Sequence, residues 1–390
     1  MGIGDTFESE KKQREDLTMH ADYPVYQLTN THGYNLCQYF THLSWIAGTN
    51  ELLFTSNRLN TSEIFKIDVK TGQMVQLTEN ANVVPYSWAV SRDGRFMVYL
   101  GGENQEQFRR LDLESLDDEL ILERPVKYHG WSGSILDINY EDNDTFYSTC
   151  SKEFVPSNLF IGSISQGTLK PYFTEKESKT TFFDHQMLSP VDPNIMQLNK
   201  TPKKYVGQEA PQRMWLLNVE EHSMKPLYQQ KRHWYSRAER VGHESWLPDG
   251  EHICFVVRRN EVKITDIDSP YGEEEVWTAG KGPNFWHVTA SPEGNMLVAD
   301  TMWEDTGIWL IEVKQGQKGR LFNLCKSETS WESKPARELA DKHHLQAHPH
   351  PGFHPDQKYV QFTAFHESTG GIQLFAVDIT KIKRSLPFAH

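Results

Sequence analysis

The sequence predicts an all-β chain folded as a seven-bladed β-propeller. Three observations carry that reading: a strand–turn–strand unit recurs seven times, a second hairpin follows it, and one N-terminal strand matches the outermost position of a unit. Each unit is a short run ending in a polar turn, then an apolar strand. The clear copies are LSWIAGTNELLFTS (43–56), SWAVSRDGRFMVYL (87–100), HESWLPDGEHICFVV (243–257), HVTASPEGNMLVAD (287–300) and HPGFHPDQKYVQFTA (350–364). LDINYEDNDTFYSTC (136–150) and HQMLSPVDPNIMQL (185–198) are looser ones. Polar and apolar residues alternate as in half-buried strands, and Asp, Gly, Pro and Asn stand where hairpins need them.

The second pair of strands reads SEIFKIDVKTGQMVQLT (62–78), SNLFIGSISQGTLKPYF (157–173), QRMWLLNVEEHSMKPLY (212–228) and TGIWLIEVKQGQKGRLF (306–322). Four short antiparallel strands per unit, repeated at about fifty residues, is the pattern of a propeller blade. The last unit (350–378) holds only three strand candidates. Its fourth is expected at the other end of the chain, where YPVYQLTN (23–30) matches MVQLTEN (74–80). Closing the ring this way removes the sheet edges that an open stack would expose. Residues 1–20 then read as a polar lead-in without visible chemistry, and 21–390 as a single propeller.

Composition narrows the function. The 390 residues carry 53 acidic and 40 basic side chains, a net charge of −13, which argues against a general nucleic-acid binder because phosphate backbones demand a basic face. No stretch approaches the roughly 18 apolar residues of a membrane span, and the charged start, Met1 to Asp16, lacks the apolar run of a secretory signal. A cytoplasmic protein without membrane association is expected. Cys37, Cys150, Cys254 and Cys325 form no CxxC pair and read as reduced core residues.

Aligning the units on their turns places one innermost-strand residue in register: His42, Ser87, Leu136, His185, His243, His287 and His350. With 17 histidines in the chain, chance would put fewer than one among seven such positions; five are histidine. Inner strands of a propeller line its channel, so these rings are expected to gather at one mouth. Gathered imidazoles can ligate a divalent metal, move protons near neutral pH, or fill a polar channel.

The run from His343 to Pro351, HHLQAHPHP, is the strongest local signal. Prolines after His348 and His350 are expected to keep it extended, which places His348, His350 and Gln346 on one face. His287, from the preceding blade, is the natural third nitrogen. Nitrogen donors with an oxygen and open positions suit Mn²⁺, Fe²⁺, Ni²⁺ or Zn²⁺ better than Ca²⁺.

Nearly the whole chain resembles the oligogalacturonate lyases, seven-bladed propellers of bacterial pectin degradation. The resemblance rests on YQLTN, LLFTSNR followed by EIFKIDVKTGQMVQLT, SPVDPNIM, RMWLLN, GHESWLPDG, NFWHVTASPEG followed by ADT, and HPHPGFHPD. It implies β-elimination of short uronate oligomers, with Mn²⁺ on three His and one Gln. The implied ligands are His287, His348 and His350, the implied base is His243, and Arg213 is the assisting arginine. The family glutamine stands three residues before the first HPHP histidine, a place held here by Leu345, with Gln346 one residue later. Either the loop adjusts or three protein ligands remain. His42 and His185 are read as substrate-binding. The first-blade segment HGYNLCQYF and the fourth-blade segment LNKTPKKYVGQEAP lack histidines that family members carry, and Lys200, Lys203 and Lys204 supply charge instead.

The chemistry fits those groups. Proton removal at C5 of a uronate builds charge beside an existing carboxylate, which a cation or arginine neutralises. A neutral imidazole, His243, suits the proton transfer. Arg213, with Arg237 or Arg240, would make the channel mouth locally positive despite the acidic total. The alternatives are a non-catalytic scaffold or sensor, a lyase acting on a different uronate oligosaccharide, and a hydrolase using metal-bound water.

Overall fold

The computed structural model describes residues 2–129, 136–150, 158–173, 181–202, 212–230, 239–257, 260–268, 276–343 and 345–382. They form a seven-bladed β-propeller whose last blade is completed by an N-terminal strand. Blades two to six are four-stranded antiparallel sheets in chain order. Their innermost strands are Trp88–Val90, Leu136–Ile138, Thr181–Leu188, Val241–Trp246 and Phe285–Ala290. Successive innermost strands touch one another around the axis. The seventh blade runs Gly352–Phe353, Tyr359–His366, Gly371–Asp378, and then Val25–Gln27 from the N-terminus, with Val25 opposite Val377.

Closure is reinforced beyond that strand. Gly33–Leu36 of the first blade also pairs in parallel with Gly371 and Ile372 of the seventh. Lys12–Gln13 adds a further strand outside Val25–Gln27, and Thr6–Phe7 adds one outside Met74–Gln76. Thr18 bridges Cys325 in blade six, and Leu17 beside it is fully buried.

The apolar faces of neighbouring blades pack on each other in turn. Phe54 and Phe65 of blade one meet Leu374 and Ala376 of blade seven, and Cys254 and Val256 of blade five meet Leu297 and Ala299 of blade six. Each fully buried large side chain contributes about 1.5–3 kcal/mol. Helix α1, Lys334–His343, precedes the last blade and is anchored through Ala336 to Tyr34, Phe365 and Ile372. Cys37, Cys254 and Cys325 are buried and unbridged, whereas the Cys150 side chain lies outside the described residues. No helix among the described residues is long and apolar enough to cross a membrane.

Blade one departs from the others in a way that matters for the site. Leu36 pairs with Thr55 and Trp45 with Leu52, so residues 37–44 leave the sheet between these two points. The excursion is held by Gln38 N–H on Ser44 Oγ (2.9 Å), His42 N–H on the Tyr39 carbonyl (2.8 Å) and the Gln38 amide on the Trp88 carbonyl. It carries Tyr39 and Phe40 among the channel imidazoles.

Candidate metal centre and proton-transfer site

The innermost strands of blades four, five and six each break register at the site. The interruptions lie between Asp184 and Met187, Gly242 and Ser245, and Phe285 and Val288. Bulges of this kind re-aim side chains beside functional sites. His185 and His243 sit in two of them with left-handed backbones, φ +52° and +58°. His350 is left-handed too, at +46°. The expectation of an extended HPHP run is therefore corrected: the chain turns at His350, and His343 belongs to the end of helix α1. The turn still brings the two rings together, 5.7 Å between centroids.

Three imidazoles from two blades converge. One nitrogen from each of His287, His348 and His350 lies within 4.8 Å of the others. His287 and His350 are buried, and His350 Nε2 and His348 Nδ1 have no hydrogen-bond partner among the described residues. Buried polar atoms without partners are costly unless a ligand satisfies them. Asp300 orients the cluster from the second strand of blade six. Its carboxylate accepts the His287 N–H (2.7 Å), His287 Nδ1–H (2.8 Å) and the His350 N–H (3.3 Å). A proton on Nδ1 puts the His287 lone pair on Nε2, the arrangement that carboxylate partners impose on metal-binding histidines. Burial pushes the Asp300 carboxyl up to about 7, so a cation beside it would offset a real cost. The donor set fits a divalent transition metal.

His243 stands next to this cluster, its ring 4.4 Å from His287 and 5.0 Å from Trp286. Burial, with His287 and His185 close by, holds its pKa well below the ordinary imidazole value. It is neutral and able to accept a proton. Behind it, buried Glu244 lies 3.5 Å from Arg213 Nε and 3.6 Å from His185 Nδ1, and accepts a hydrogen bond from the Asn199 amide at 3.0 Å. Burial alone would raise the Glu244 pKa, but Arg213 and His185 outweigh it and keep the carboxylate ionised. The Arg213 guanidinium thus faces Glu244, and Trp215, close by in sequence, packs under Lys200 Nζ at 4.6 Å.

The remaining sequence candidates divide. His185 joins the group, 6.5 Å from His243. His42 does not: the excursion at 37–44 takes it past the aromatic pair to face Asp137 (3.7 Å), lining a cavity of about 320 Å³ with Arg92, Tyr140 and Trp246. The five-histidine ring is corrected to His185, His243, His287 and His350, with His348 added. Gln346 is exposed and held through its backbone carbonyl, which accepts the Tyr86 hydroxyl at 2.9 Å. Leu345, at the family glutamine's place, is buried against Tyr34 and Ala336. Arg240 is exposed. Lys203, Lys204, Arg237 and His344 lie outside the described residues.

Sequence reasoning missed Tyr39 and Phe40, whose rings lie 4.9 Å from His350 and His287 respectively. It also missed Glu244, in the mixed strand VGHESW, and Asp300, for which the available signal was a carboxylate inside the otherwise largely apolar strand MLVADT.

Comparison with known proteins agrees with the fold. Over 326 residues, 77% of this chain and 79% of the relative, the chain is 24% identical to the oligogalacturonate lyase of Dickeya dadantii. The chain is similar to the oligogalacturonate lyases. It is also 23% identical to the oligogalacturonide lyase of Pectobacterium atrosepticum over 357 residues, 84% of this chain and 86% of that protein. An oligogalacturonate lyase in complex with manganese superposes with a TM-score of 0.77 at 18% identity, covering 99% of both chains. No protein-family profile matches the chain.

Proposed function

We propose that this chain is a metal-dependent lyase that cleaves short uronate oligosaccharides, oligogalacturonates or close analogues, by β-elimination. The observation that carries the reading is the convergence of His287, His348 and His350 with a neutral fourth imidazole, His243, at 4.4 Å from His287. His287, His348 and His350, with Gln346 adjoining, are the residues to hold Mn²⁺, which supplies positive charge for the substrate carboxylate. His243 takes the C5 proton. The C–H electrons form the C4=C5 bond, the C4–O bond breaks, and the departing sugar oxygen takes up a proton.

Arg213, held by Glu244, grips a substrate carboxylate. His185, on the other oxygen of Glu244, completes that wall. Tyr39 and Phe40 exclude water from below the reacting carbon, which strengthens each charge interaction. The whole propeller, 21–390, acts as one catalytic unit. We place it in the cytoplasm, a compartment supported by three buried cysteines that form no disulfide.

The test is absorbance of an unsaturated product from uronate oligomers with Mn²⁺. The purified protein should produce it, chelation should stop it, and His243→Ala should abolish it while binding the metal as before. Equal activity in His243→Ala removes that residue from its role. Cleavage without new absorbance refutes elimination.

A further inference from the structure

Trp303 is 54% exposed, and its backbone is left-handed at φ +55°, followed by Glu304 at +121°. Residues carrying a Cβ rarely adopt either conformation, and such strain persists only where the surroundings over-determine it. Here they do. Asp305 accepts hydrogen bonds from Gly307 N–H (2.9 Å), Ser327 Oγ (2.6 Å) and Thr329 N–H (3.0 Å). Thr306 N–H bonds Thr301 Oγ1 at 2.8 Å, and the Asn323 amide bonds the Thr306 carbonyl at 2.9 Å. These bonds pin the loop at Asp305–Gly307, directly after the exposed aromatic ring of Trp303.

The exposed indole is continuous with the imidazole site. Its ring meets Trp286 edge to face at 4.8 Å, and Trp286 lies 5.0 Å from His243 and 6.3 Å from His348. Trp331 closes the other side of His348 at 4.9 Å. A single flat ring, rather than a groove, offers no seat for a helix or a cluster of apolar side chains. It does match the C–H face of a pyranose, whose hydroxyls remain in water.

We propose that Trp303 is the stacking platform for a sugar ring of the uronate chain, next to the ring held over the imidazoles. The proposal rests on the uronate-lyase reading above. Trp303 sets chain-length preference and takes no part in proton transfer.

The experiment measures KM and kcat on a uronate trimer and dimer with Mn²⁺ for the wild-type chain, Trp303→Ala and Trp303→Phe. Loss of one aromatic contact should raise KM on the trimer about fivefold to tenfold in Trp303→Ala. kcat should stay within about twofold, the dimer should be affected less, and Trp303→Phe should recover most of the loss. Metal content and thermal midpoint should match the wild type. An unchanged trimer KM in Trp303→Ala overturns the platform and leaves the lyase reading intact. A fall in kcat together with metal content also overturns it, because the loop would then be structural. A wild-type chain that cleaves neither oligomer overturns the lyase reading, and this proposal with it.

Discussion

Replacing Asp300 with Asn separates the shape of the metal site from its electrostatics. The carboxylate uses both oxygens: one accepts the His287 backbone N–H at 2.7 Å, the other accepts His287 Nδ1–H at 2.8 Å and the His350 N–H at 3.3 Å. An amide of the same shape must turn its NH₂ toward one of these donors, whichever way it flips. If it faces the backbone, a buried N–H loses its acceptor, at about 1–3 kcal/mol. If it faces the ring, His287 moves its proton to Nε2, the nitrogen aimed at the other two imidazoles. Second-shell losses of this kind cost about 10- to 100-fold in metal affinity, or about 1.4–2.8 kcal/mol. Calorimetric titration of Mn²⁺ into Asp300→Asn and wild-type protein measures this directly, with the thermal midpoint of the metal-free proteins as a folding control. A dissociation constant within about twofold of wild type, in a folded variant, would refute the role given to Asp300.

Two further predictions follow from the fold. Trp45 wedges between blades one and seven, donating to Gln361 Oε1 at 2.8 Å and packing against His354 and Tyr359; Trp45→Ala should cost about 3–5 kcal/mol in urea unfolding, and a loss below about 1 kcal/mol would show that closure does not depend on it. In blade five, the hydrogen bond to Asp249 (2.8 Å) raises the His252 pKa above its ordinary value, a stabilisation fully present below pH about 6.5 and lost as pH rises through the folded-state value. His252→Gln should therefore destabilise by roughly 0.5 kcal/mol at pH 5.5, the partial exposure of Asp249 limiting the effect, and by nothing measurable at pH 8.5; a pH-independent difference would contradict the linkage.

The blades were legible because most of their hairpins carry clear turn residues. SRDG, PDG and PEG fix turns, and the apolar alternation after them fixes which strand face meets the next blade. The N-terminal strand was legible for the same reason, since residues 23–30 repeat the pattern of 74–80. Register on the turn also brought out His185, His243, His287 and His350, because equivalent positions in a closed ring share one mouth. It failed for His42. Counting back from a turn assumes an unbroken strand, and the excursion at 37–44 violates that assumption.

Other features depend on pairing across strands, which spacing along the chain does not reveal. Asp300 reaches His287 across thirteen residues of hairpin. Glu244 is adjacent to His243, yet the bulge between Gly242 and Ser245 is what sends the pair toward both the metal cluster and Arg213. The geometry of HPHP was misjudged in its backbone and right in its consequence: proline constrains the residues around it, but His350 turns left-handed and brings the two rings near each other by another route.

The most direct measurement is an anomalous-diffraction map at the manganese edge from crystals grown with Mn²⁺. A single peak within bonding distance of nitrogens from His287, His348 and His350, with the His243 ring close by but not bonded to it, is the predicted result. A peak elsewhere, or one whose ligands include His243, would contradict the division between charge stabilisation and proton acceptance on which the account depends.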